Sequence, residues 1–247
     1  MGSAAGDGNG GATRDTALRP LVPAAPGVML WCCALGHAPE EIAALARWLS
    51  PAETARAARF GTDALRLRWI AGRATLRLVL GRLLGLEPAQ VPLRRGHRGR
   101  PELADPAAGI DFNVSHTAGM ALYAVARGLA PQARIGVDIE RRERDVGADR
   151  LARKFLAPRE QATLAGLAAD ERRRRFLRYW TCKEAMSKAT GDGLAAPFRR
   201  LDVELADGPR LAGGPPPYTP EDWSLHAAAV PDGWYATLAI WTPRGGR

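Results

Sequence analysis

Lysine is scarce in this sequence. Lysine and arginine together number 35, but only Lys154, Lys183 and Lys188 are lysine, and all the others are arginine. Two of these three stand within the stretch WTCKEAMSK, residues 180–188. A compact ammonium and a planar guanidinium do different chemistry, so the retention of lysine here indicates a site that needs a point charge.

Cysteine is also rare, and its spacing excludes two classes of small domain. The chain has 3 cysteines, Cys32, Cys33 and Cys182, without a CxxC pair or a zinc-type combination with histidine. An odd number with this spacing favours neither a disulfide framework nor a structural zinc site. We therefore expect free thiols and a protein of the reducing cytoplasm.

Long apolar runs and targeting signals are absent from the sequence as well. The stretch VMLWCCAL, residues 28–35, is far too short to span a bilayer and is typical of a core strand. The opening residues lack the pattern of an export signal or a lipidation site. No Walker A pattern occurs, so the sequence predicts a protein without a membrane span and without a P-loop.

Positive charge and apolar content are plentiful. The formal net charge is +9, and 46% of the 247 residues are hydrophobic, which suffices for one large domain or two lobes. A basic chain attracts polyanions, which include nucleic acids, phosphorylated cofactors, membrane surfaces and acidic proteins. Charge alone does not choose among them.

The pattern of apolar and turn residues predicts an α+β protein. We expect a flexible tail over residues 1–26, an N-terminal lobe over 27–128 and a C-terminal lobe over 129–247. Strands are expected at 28–35, around a turn within 110–126, at 135–140 and in the last fifty residues, where a Pro-Asp-Gly turn joins two of them. Strand, helices and hairpin occur in each half, which is the basis for two lobes.

Helix signals are clear at several places. Pro39 suits the first turn of one helix, and Ser50-Pro51-Ala52-Glu53 is a capping box that opens another. A long helix is predicted over residues 63–84, and a second one runs to about Thr190, with Asp170 as its cap and Gly191 as its stop. On the first long helix the apolar residues should face the core and the arginines should face elsewhere. The residues concerned are Leu65, Trp69, Leu76 and Leu80 for the core, and Arg66, Arg68, Arg73 and Arg77 for the other side.

Three carboxylates and one lysine fall at spacings that bring them onto shared faces. In IGVDIE, Asp138 and Glu140 point to the same side of a strand. Glu184 and Lys188 follow one another at helical spacing on an otherwise apolar stripe. Oxygen-only ligands suit Mg²⁺. The simpler alternatives are an edge strand with one wet face and a surface ion pair worth about 0.2–0.5 kcal/mol.

The stretch FNVSHT, residues 112–117, adds small donors and an imidazole at the end of a strand. Asn113, Ser115 and His116 are suited to hold phosphate oxygens. Taken singly they are ordinary turn or structural residues.

Taken together, FNVSHT, GVDIE and WTCKEAMSK resemble the Sfp-type 4′-phosphopantetheinyl transferases. The resemblance extends from SPAETARAARF through RWIAGR and the GRP of residues 99–101 to these motifs. It implies two pseudo-symmetric α/β lobes with the active site between them. It also implies Mg²⁺ as cofactor and transfer of phosphopantetheine from coenzyme A to a carrier-protein serine, with release of adenosine 3′,5′-bisphosphate.

The family pattern assigns roles to individual positions. Asp138, Glu140 and Glu184 are implied to bind Mg²⁺, Glu184 also to be the base, directly or through a metal-bound water, and Lys188 to contact the pyrophosphate. The implied coenzyme contacts are Arg56, Arg68, Arg73, Arg100, Pro101, Ser115 and His116. Glu53 stands where relatives can carry a basic phosphate contact, and Lys183 is matched without a clear role.

The resemblance also implies partners for the protein, and two alternative functions remain open. We expect an acidic acyl or peptidyl carrier protein as partner, a monomer, and no binding to nucleic acid or membrane. One rival is an arginine-rich nucleic-acid-binding module, suggested by the net charge and by ERRRR at residues 171–175. The other is a Mg²⁺-dependent phosphohydrolase, which would share the carboxylates but transfer to water.

Overall fold

The structure, a computed structural model, describes residues 18–96, 99–105, 109–117 and 119–244. Its α-helices in these ranges are α1 (Pro39–Ala46), α2 (Pro51–Ala57), α3 (Asp63–Leu84), α4 (Ala148–Phe155), α5 (Pro158–Ala165) and α6 (Ala169–Thr190). The strands in the same ranges are β1 (Arg19–Leu21), β2 (Val28–Ala34), β3 (Leu93–Arg95), β4 (Pro101–Leu103), β5 (Ile110–Thr117), β6 (Met120–Arg127), β7 (Arg134–Arg141), β8 (Asp202–Glu204), β9 (Arg210–Gly213), β10 (Trp223–Ala227) and β11 (Trp234–Trp241). The predicted α+β class is confirmed, because helices pack on separate antiparallel sheets.

The first sheet has the strand order β1-β2-β6-β5, with antiparallel neighbours. The 22-residue helix α3 packs against it around a shared apolar core. Tyr123 of β6 is fully buried there, and its hydroxyl lies 3.1 Å from the carbonyl oxygen of Gly72 in α3. β5 is therefore the edge strand of this sheet on the side away from β1.

The second sheet has the order β10-β11-β7, and the 22-residue helix α6 lies across it. Gly136 of β7 makes this contact close: a Cβ atom at this position would lie 2.0 Å from the carbonyl oxygen of Ala185. Since any larger residue would clash with the helix backbone, Gly136 brings α6 directly onto β7. That approach sets the spacing between the charged residues of the two elements.

Several helix ends lie where the sequence predicts them. The hydroxyl of Ser50 accepts a hydrogen bond from the backbone N–H of Glu53 (3.3 Å), and the Glu53 carboxylate accepts one from the Ser50 N–H (2.9 Å). Gly191 ends α6 in the left-handed region, with φ of 83°. The prediction of Asp170 as the cap of α6 is wrong, because the helix begins at Ala169 and Asp170 lies within its first turn.

The faces of α3 differ from the predicted pattern at Leu65 and at Arg77. Leu76 and Leu80 are buried as expected, but Leu65 is 48% exposed near the start of the helix. Arg77, expected on the outer side, is only 3% exposed. Its guanidinium lies 2.6 Å from the carboxylate of Glu53, and it also donates to three backbone carbonyls of residues 88–91. A full set of acceptors is what allows this charge to be buried.

The predicted tail is wrong in its last part. Residues 1–17 lie outside the described ranges, but Arg19–Leu21 forms β1 and pairs with Leu30–Cys32 of β2. The division into lobes at residue 128 stays a prediction. The three cysteines are buried free thiols, as expected. None of the helices in the described ranges is long and apolar enough to cross a membrane.

Candidate active site at the junction of β5, β7 and α6

The edge strands of the two sheets meet through side chains of β5. Asp111, Asn113 and Ser115 alternate along this strand and so point to one side. The Asp111 carboxylate accepts from the N–H of Ile135 (2.7 Å), and Asn113 accepts from that of Val137 (3.0 Å). The Ser115 hydroxyl lies 3.4 Å from the N–H of Ile139. These side chains satisfy every second backbone donor of β7, which fixes β7 relative to β5.

Asp138 is the centre of the charged cluster. Its Oδ1 accepts from the hydroxyl of Ser115 (2.8 Å) and lies 2.6 Å from the ammonium of Lys188. The Lys188 Nζ is also 2.8 Å from the Ser115 hydroxyl oxygen. The other oxygen, Oδ2, is buried and has no hydrogen-bond partner within the described residues. Asp138 itself is only 4% exposed.

Glu140 lies two residues further along the same face of β7. The Thr117 hydroxyl donates to its Oε2 (3.2 Å), and the guanidinium of Arg144 contacts its Oε1. Burial, followed by the negative charge of Asp138, raises the pKa of the Glu140 carboxyl despite Arg144. The predicted alternation of β7 is correct, because Ile135, Val137 and Ile139 lie in an apolar core on its other face.

Glu184 of α6 completes the cluster. Desolvation raises the pKa of its carboxyl to about 7, and the charges of Asp138 and Glu140 add to this rise while Lys188 opposes it. A carboxyl with a pKa near neutrality is suited to accept a proton during a reaction. The charges of Asp138, Glu140 and Lys188 thus act on Glu184, and the joint role of these four residues stays a prediction.

His116 is exposed and lies close enough to Lys188, Arg68 and Asp138 for their charges to act on it. Desolvation lowers the pKa of His116, and the positive charges of Lys188 and Arg68 lower it further. The imidazole is therefore neutral at pH 7 and can donate a hydrogen bond without adding charge. Arg68 is exposed.

Arg73 and Arg56 lie near the ring of Trp69. Their guanidinium carbons are 5.7 Å and 5.6 Å from its centroid. Arg73 is half-buried and lies 3.5 Å from the carboxylate of Glu53. Burial lowers the pKa of Arg73, and Glu53 opposes this effect. Glu53 therefore serves both the cap of α2 and the arginines of α3, which explains an acid at this place.

Arg100 is engaged entirely with the protein through its terminal nitrogens. Nη2 lies within 3.0 Å of the Asp111 carboxylate and of the carbonyl oxygens of Phe112 and Ile135. Nη1 donates to the carbonyl of Lys188 and, at 3.2 Å, to that of Ala189. Pro101 begins β4 and pairs opposite Arg95. The sequence gives no sign of these contacts, since they join residues far apart in the chain.

Lys183, the neighbour of Glu184, is part of the core. Its side chain is fully buried, lies 2.8 Å from the carboxylate of Glu160 and donates to the carbonyls of Phe198 and Leu201, each at 2.6 Å. Glu160 in turn accepts from the N–H of Val203 (2.9 Å). Lys183, to which the sequence assigned no clear role, therefore connects α6 with α5 and with residues 198–201.

The residues present fit a divalent cation by chemistry. The donor set consists of carboxylate oxygens, and within the described residues the Oδ2 of Asp138 has no hydrogen-bond partner. Burial, followed by the negative charge of Asp138, raises the pKa of Glu184. Hard cations prefer such oxygens. Within the described ranges, however, no group of three His, Cys, Asp or Glu side chains has an arrangement that could hold a metal ion. Lys188 and Arg144 contact these carboxylates instead.

Sequence reasoning missed three residues of this site, namely Asp111, Thr117 and Arg144, and it did not predict the protein contacts of the Arg100 side chain. Thr117 and Asp111 were detectable in part, because they share the alternation of Asn113 and Ser115 on one strand face. Arg144 follows Glu140 at a distance of four residues, but in a turn rather than a helix. Only the fold reveals that contact.

Comparisons with known proteins agree on one family. Residues 134–239 match the 4′-phosphopantetheinyl transferase superfamily model, and residues 37–127 match the model of the 4′-phosphopantetheinyl transferase N-terminal region. The chain is 38% identical over 227 residues to the 4′-phosphopantetheinyl transferase HetI of Nostoc sp., covering 88% of this chain and 90% of that protein. It is 34% identical to a putative 4′-phosphopantetheinyl transferase of Synechocystis sp., over 64% of each chain.

Among solved structures, a holo-(acyl-carrier-protein) synthase from Bacillus anthracis in complex with CoA (3′,5′-ADP) aligns with 44% of this chain and 94% of its own. The identity is 20% and the TM-score 0.34, which is too low to support an argument about shared geometry. The nucleic-acid-binding and phosphohydrolase alternatives find no support in the matches to families and relatives.

Proposed function

The chain belongs to the 4′-phosphopantetheinyl transferase superfamily and transfers phosphopantetheine from coenzyme A to carrier proteins, and we propose that the junction of β5, β7 and α6 carries out this transfer. The observation that carries the proposal is the cluster of Asp138, Glu140 and Glu184 with Lys188 in contact with Asp138. Such a cluster is costly to build without a function, because like charges raise each other's free energy.

We assign Asp138, Glu140 and Glu184 as the residues that hold Mg²⁺. The unpartnered Oδ2 of Asp138 and the raised pKa of Glu184 support the assignment. When bound, Mg²⁺ neutralises the pyrophosphate of the coenzyme and the surrounding carboxylates. Excess chelator should therefore abolish transfer, and undiminished transfer in chelator would contradict this assignment.

Glu184 and Lys188 have separate roles in the transfer: one accepts the proton, and the other stabilises the developing negative charge. Glu184 takes the proton of the carrier serine hydroxyl, whose oxygen attacks the phosphorus that bears the pantetheine arm. The bond from that phosphorus to the bridging oxygen of the pyrophosphate breaks, and adenosine 3′,5′-bisphosphate leaves. Lys188 donates a hydrogen bond to the departing phosphate and so offsets its growing charge. The pKa of about 7 suits Glu184 to this role.

The coenzyme contacts are assigned around this centre. Lys188 contacts Ser115, and the charges of Lys188 and Arg68 both act on His116. Ser115, His116 and Arg68 are proposed to hold phosphate oxygens. Arg73 of α3 and Arg56 of α2 are proposed to contact the phosphate at the adenosine end of the coenzyme. The nearby carboxylate of Glu53 partly neutralises the charge of Arg73. Pro101 and the backbone of Arg100 are proposed to lie beside the nucleotide.

The carrier is proposed to be acidic and the enzyme to act as a monomer in a reducing compartment. The net charge of +9 supports an acidic partner, because opposite charges steer encounter. The buried free thiols support the compartment. Salt should raise the apparent KM for the carrier; a constant KM up to roughly 0.3 M salt, where the Debye length is below ~8 Å, would indicate apolar docking.

Mass spectrometry of an apo carrier protein incubated with this chain, coenzyme A and Mg²⁺ tests the proposal. We expect the carrier to gain one phosphopantetheine group, with adenosine 3′,5′-bisphosphate released in equal amount. Asp138→Ala and Glu184→Ala should lose turnover while remaining folded. Cleavage of coenzyme A at the same rate without carrier would favour a phosphohydrolase, and near wild-type turnover of either variant would overturn the site.

A further inference from the structure

One guanidinium joins three separate elements next to the reactive lysine. Arg100 contacts Asp111 and Phe112 of β5, the carbonyl of Ile135 in β7, and the carbonyls of Lys188 and Ala189 in the last turn of α6. β5 and β7 belong to different sheets. Through this one side chain, Arg100 links both sheets to the backbone at the end of α6.

The contacts leave the side chain no terminal donor for a substrate. Both Nη1 and Nη2 point at protein oxygens, and the side chain is only 11% exposed. A phosphate could reach this group only by breaking contacts with a carboxylate and several carbonyls. Each contact to a charged partner is among the stronger hydrogen bonds in proteins.

The carbonyls that Arg100 binds are those that a helix end leaves without partners. Ser187, one residue earlier, has its carbonyl bound by the N–H of Gly191 at 2.9 Å. The next two carbonyls, of Lys188 and Ala189, are bound by Arg100. A cation at this end also interacts favourably with the helix dipole. The backbone of Lys188 is thereby held by Arg100 while its ammonium contacts Ser115 and Asp138.

We propose that Arg100 is a positioning residue, which fixes the last turn of α6 against β5 and β7 and so sets the place of the Lys188 ammonium relative to Asp138. The inference rests on the proposed function of Lys188. It departs from the nucleotide contact that the family resemblance implies for this side chain. Lysine cannot replace Arg100 in this role, because one ammonium cannot span acceptors on three elements as a planar fork does.

The experiment compares wild type, Arg100→Lys and a matched control, Arg134→Lys. Arg134 is the first residue of β7 and next to Ile135, but it is exposed, and its described hydrogen bonds go to carbonyls of the preceding loop. Carrier modification is measured with coenzyme A and with a coenzyme A analogue that lacks the adenine base. Thermal unfolding of each variant ensures that rates are compared among folded proteins.

A positioning role predicts that Arg100→Lys lowers kcat about 10- to 100-fold, the effect of a misplacement of about 1 Å. The loss should be the same with both substrates, with the KM for coenzyme A changed less than about two-fold, while Arg134→Lys matches wild type. A loss confined to KM, or one that disappears with the analogue lacking adenine, would identify a nucleotide contact and overturn the proposal. Unchanged kcat would overturn it as well.

Asp111→Asn gives an independent test if Arg100→Lys fails to fold. Asp111 contacts both Arg100 and the N–H of Ile135, so this variant weakens the same junction. It should lower kcat in the same way, and in a double variant the two losses should be far from additive. A full kcat for Asp111→Asn, or additive losses, would contradict the proposal. Absence of any carrier modification by wild type would instead refute the proposed function.

Discussion

The amide oxygen of Asn113 accepts a hydrogen bond, 3.0 Å long, from the backbone N–H of Val137. Asn113 is 6% exposed, and it belongs to the edge of one sheet while Val137 belongs to the edge of the other. A side chain thus provides the acceptor that a neighbouring strand would normally offer. The carboxylates of β7 depend on this bond for their place, since Asp138 is the next residue.

Asn113→Leu should destabilise the protein by about 1–3 kcal/mol, because it leaves the buried N–H of Val137 without an acceptor. Urea unfolding measures the free energy. Thr54→Ala is a suitable control, since its exposed hydroxyl donates to the carbonyl of Ser50 one turn earlier in the chain. Equal stability of the Asn113 variant and the control would show that the bond across the sheets contributes little.

Lys183→Met should cost about 3–5 kcal/mol of unfolding free energy, because it strands the carboxylate of Glu160 in the core. Glu160 is 1% exposed and Lys183 is 0% exposed. The exposed Lys154 offers a matched control, and Lys154→Met should change stability by no more than about 0.5 kcal/mol. Chemical denaturation of both variants measures the two unfolding free energies. A small change for Lys183→Met would mean that water replaces the lost ammonium.

Lys188→Arg should lose at least ~10-fold in kcat, or about 1.4 kcal/mol of transition-state stabilisation, although the charge is kept. The ammonium lies 2.8 Å from the Ser115 hydroxyl and 2.6 Å from the Asp138 carboxylate, and a wider planar group would have to displace one of these contacts. Carrier modification is compared for Lys188→Arg and Lys188→Ala at matched thermal stability. If arginine restores most of the activity, position 188 supplies only generic charge.

Glu184 should make stability depend on pH in the metal-free protein. Its pKa of about 7 lies above the ordinary value of 4.5, so the folded state binds this proton more tightly than the unfolded chain does. The stabilising contribution is complete below the unfolded pKa and disappears as the pH rises through 7. Glu184→Gln avoids this loss. It should therefore gain about 1–2 kcal/mol on wild type between pH 4.5 and 8, allowing for solvent screening at a partly exposed carboxyl.

Urea unfolding in excess chelator at pH 5 and pH 8 measures that gain. Glu204→Gln serves as control, because Glu204 pairs with Arg210 at the surface, away from the cluster. The difference between Glu184→Gln and wild type should be larger at pH 8 than at pH 5. The same difference at both pH values would contradict the raised pKa.

Local order was predictable where a few neighbouring residues decide it. The bounds of α3, the capping box of Ser50 and Glu53, and the end of α6 at Gly191 follow from caps and periodicity. The alternation of β7 and the helical spacing of Glu184 and Lys188 predicted which side chains share a face. These features depend on contacts within about four residues along the chain.

The predictions that failed concern residues whose contact partners are far away in the sequence. Arg77 is buried because Glu53 and the carbonyls of residues 88–91 surround it, which no property of α3 alone indicates. The strand at Arg19 forms because β2 offers an edge, although the segment before it is rich in glycine and alanine. The contacts of Arg100 span the whole junction. The local pattern assigned Arg77 to the outer face of α3, and the family resemblance assigned Arg100 to the coenzyme.

Gly136 has a consequence for anyone who would rebuild this chemistry elsewhere. A grafted site would copy the carboxylates and the lysine. The distance between β7 and α6, however, depends on the absence of a side chain at Gly136, because a Cβ atom there would lie 2.0 Å from the carbonyl oxygen of Ala185. A scaffold with alanine at this place would hold α6 farther away and separate Glu184 from Asp138. The transplant must therefore include a residue that takes no part in the reaction.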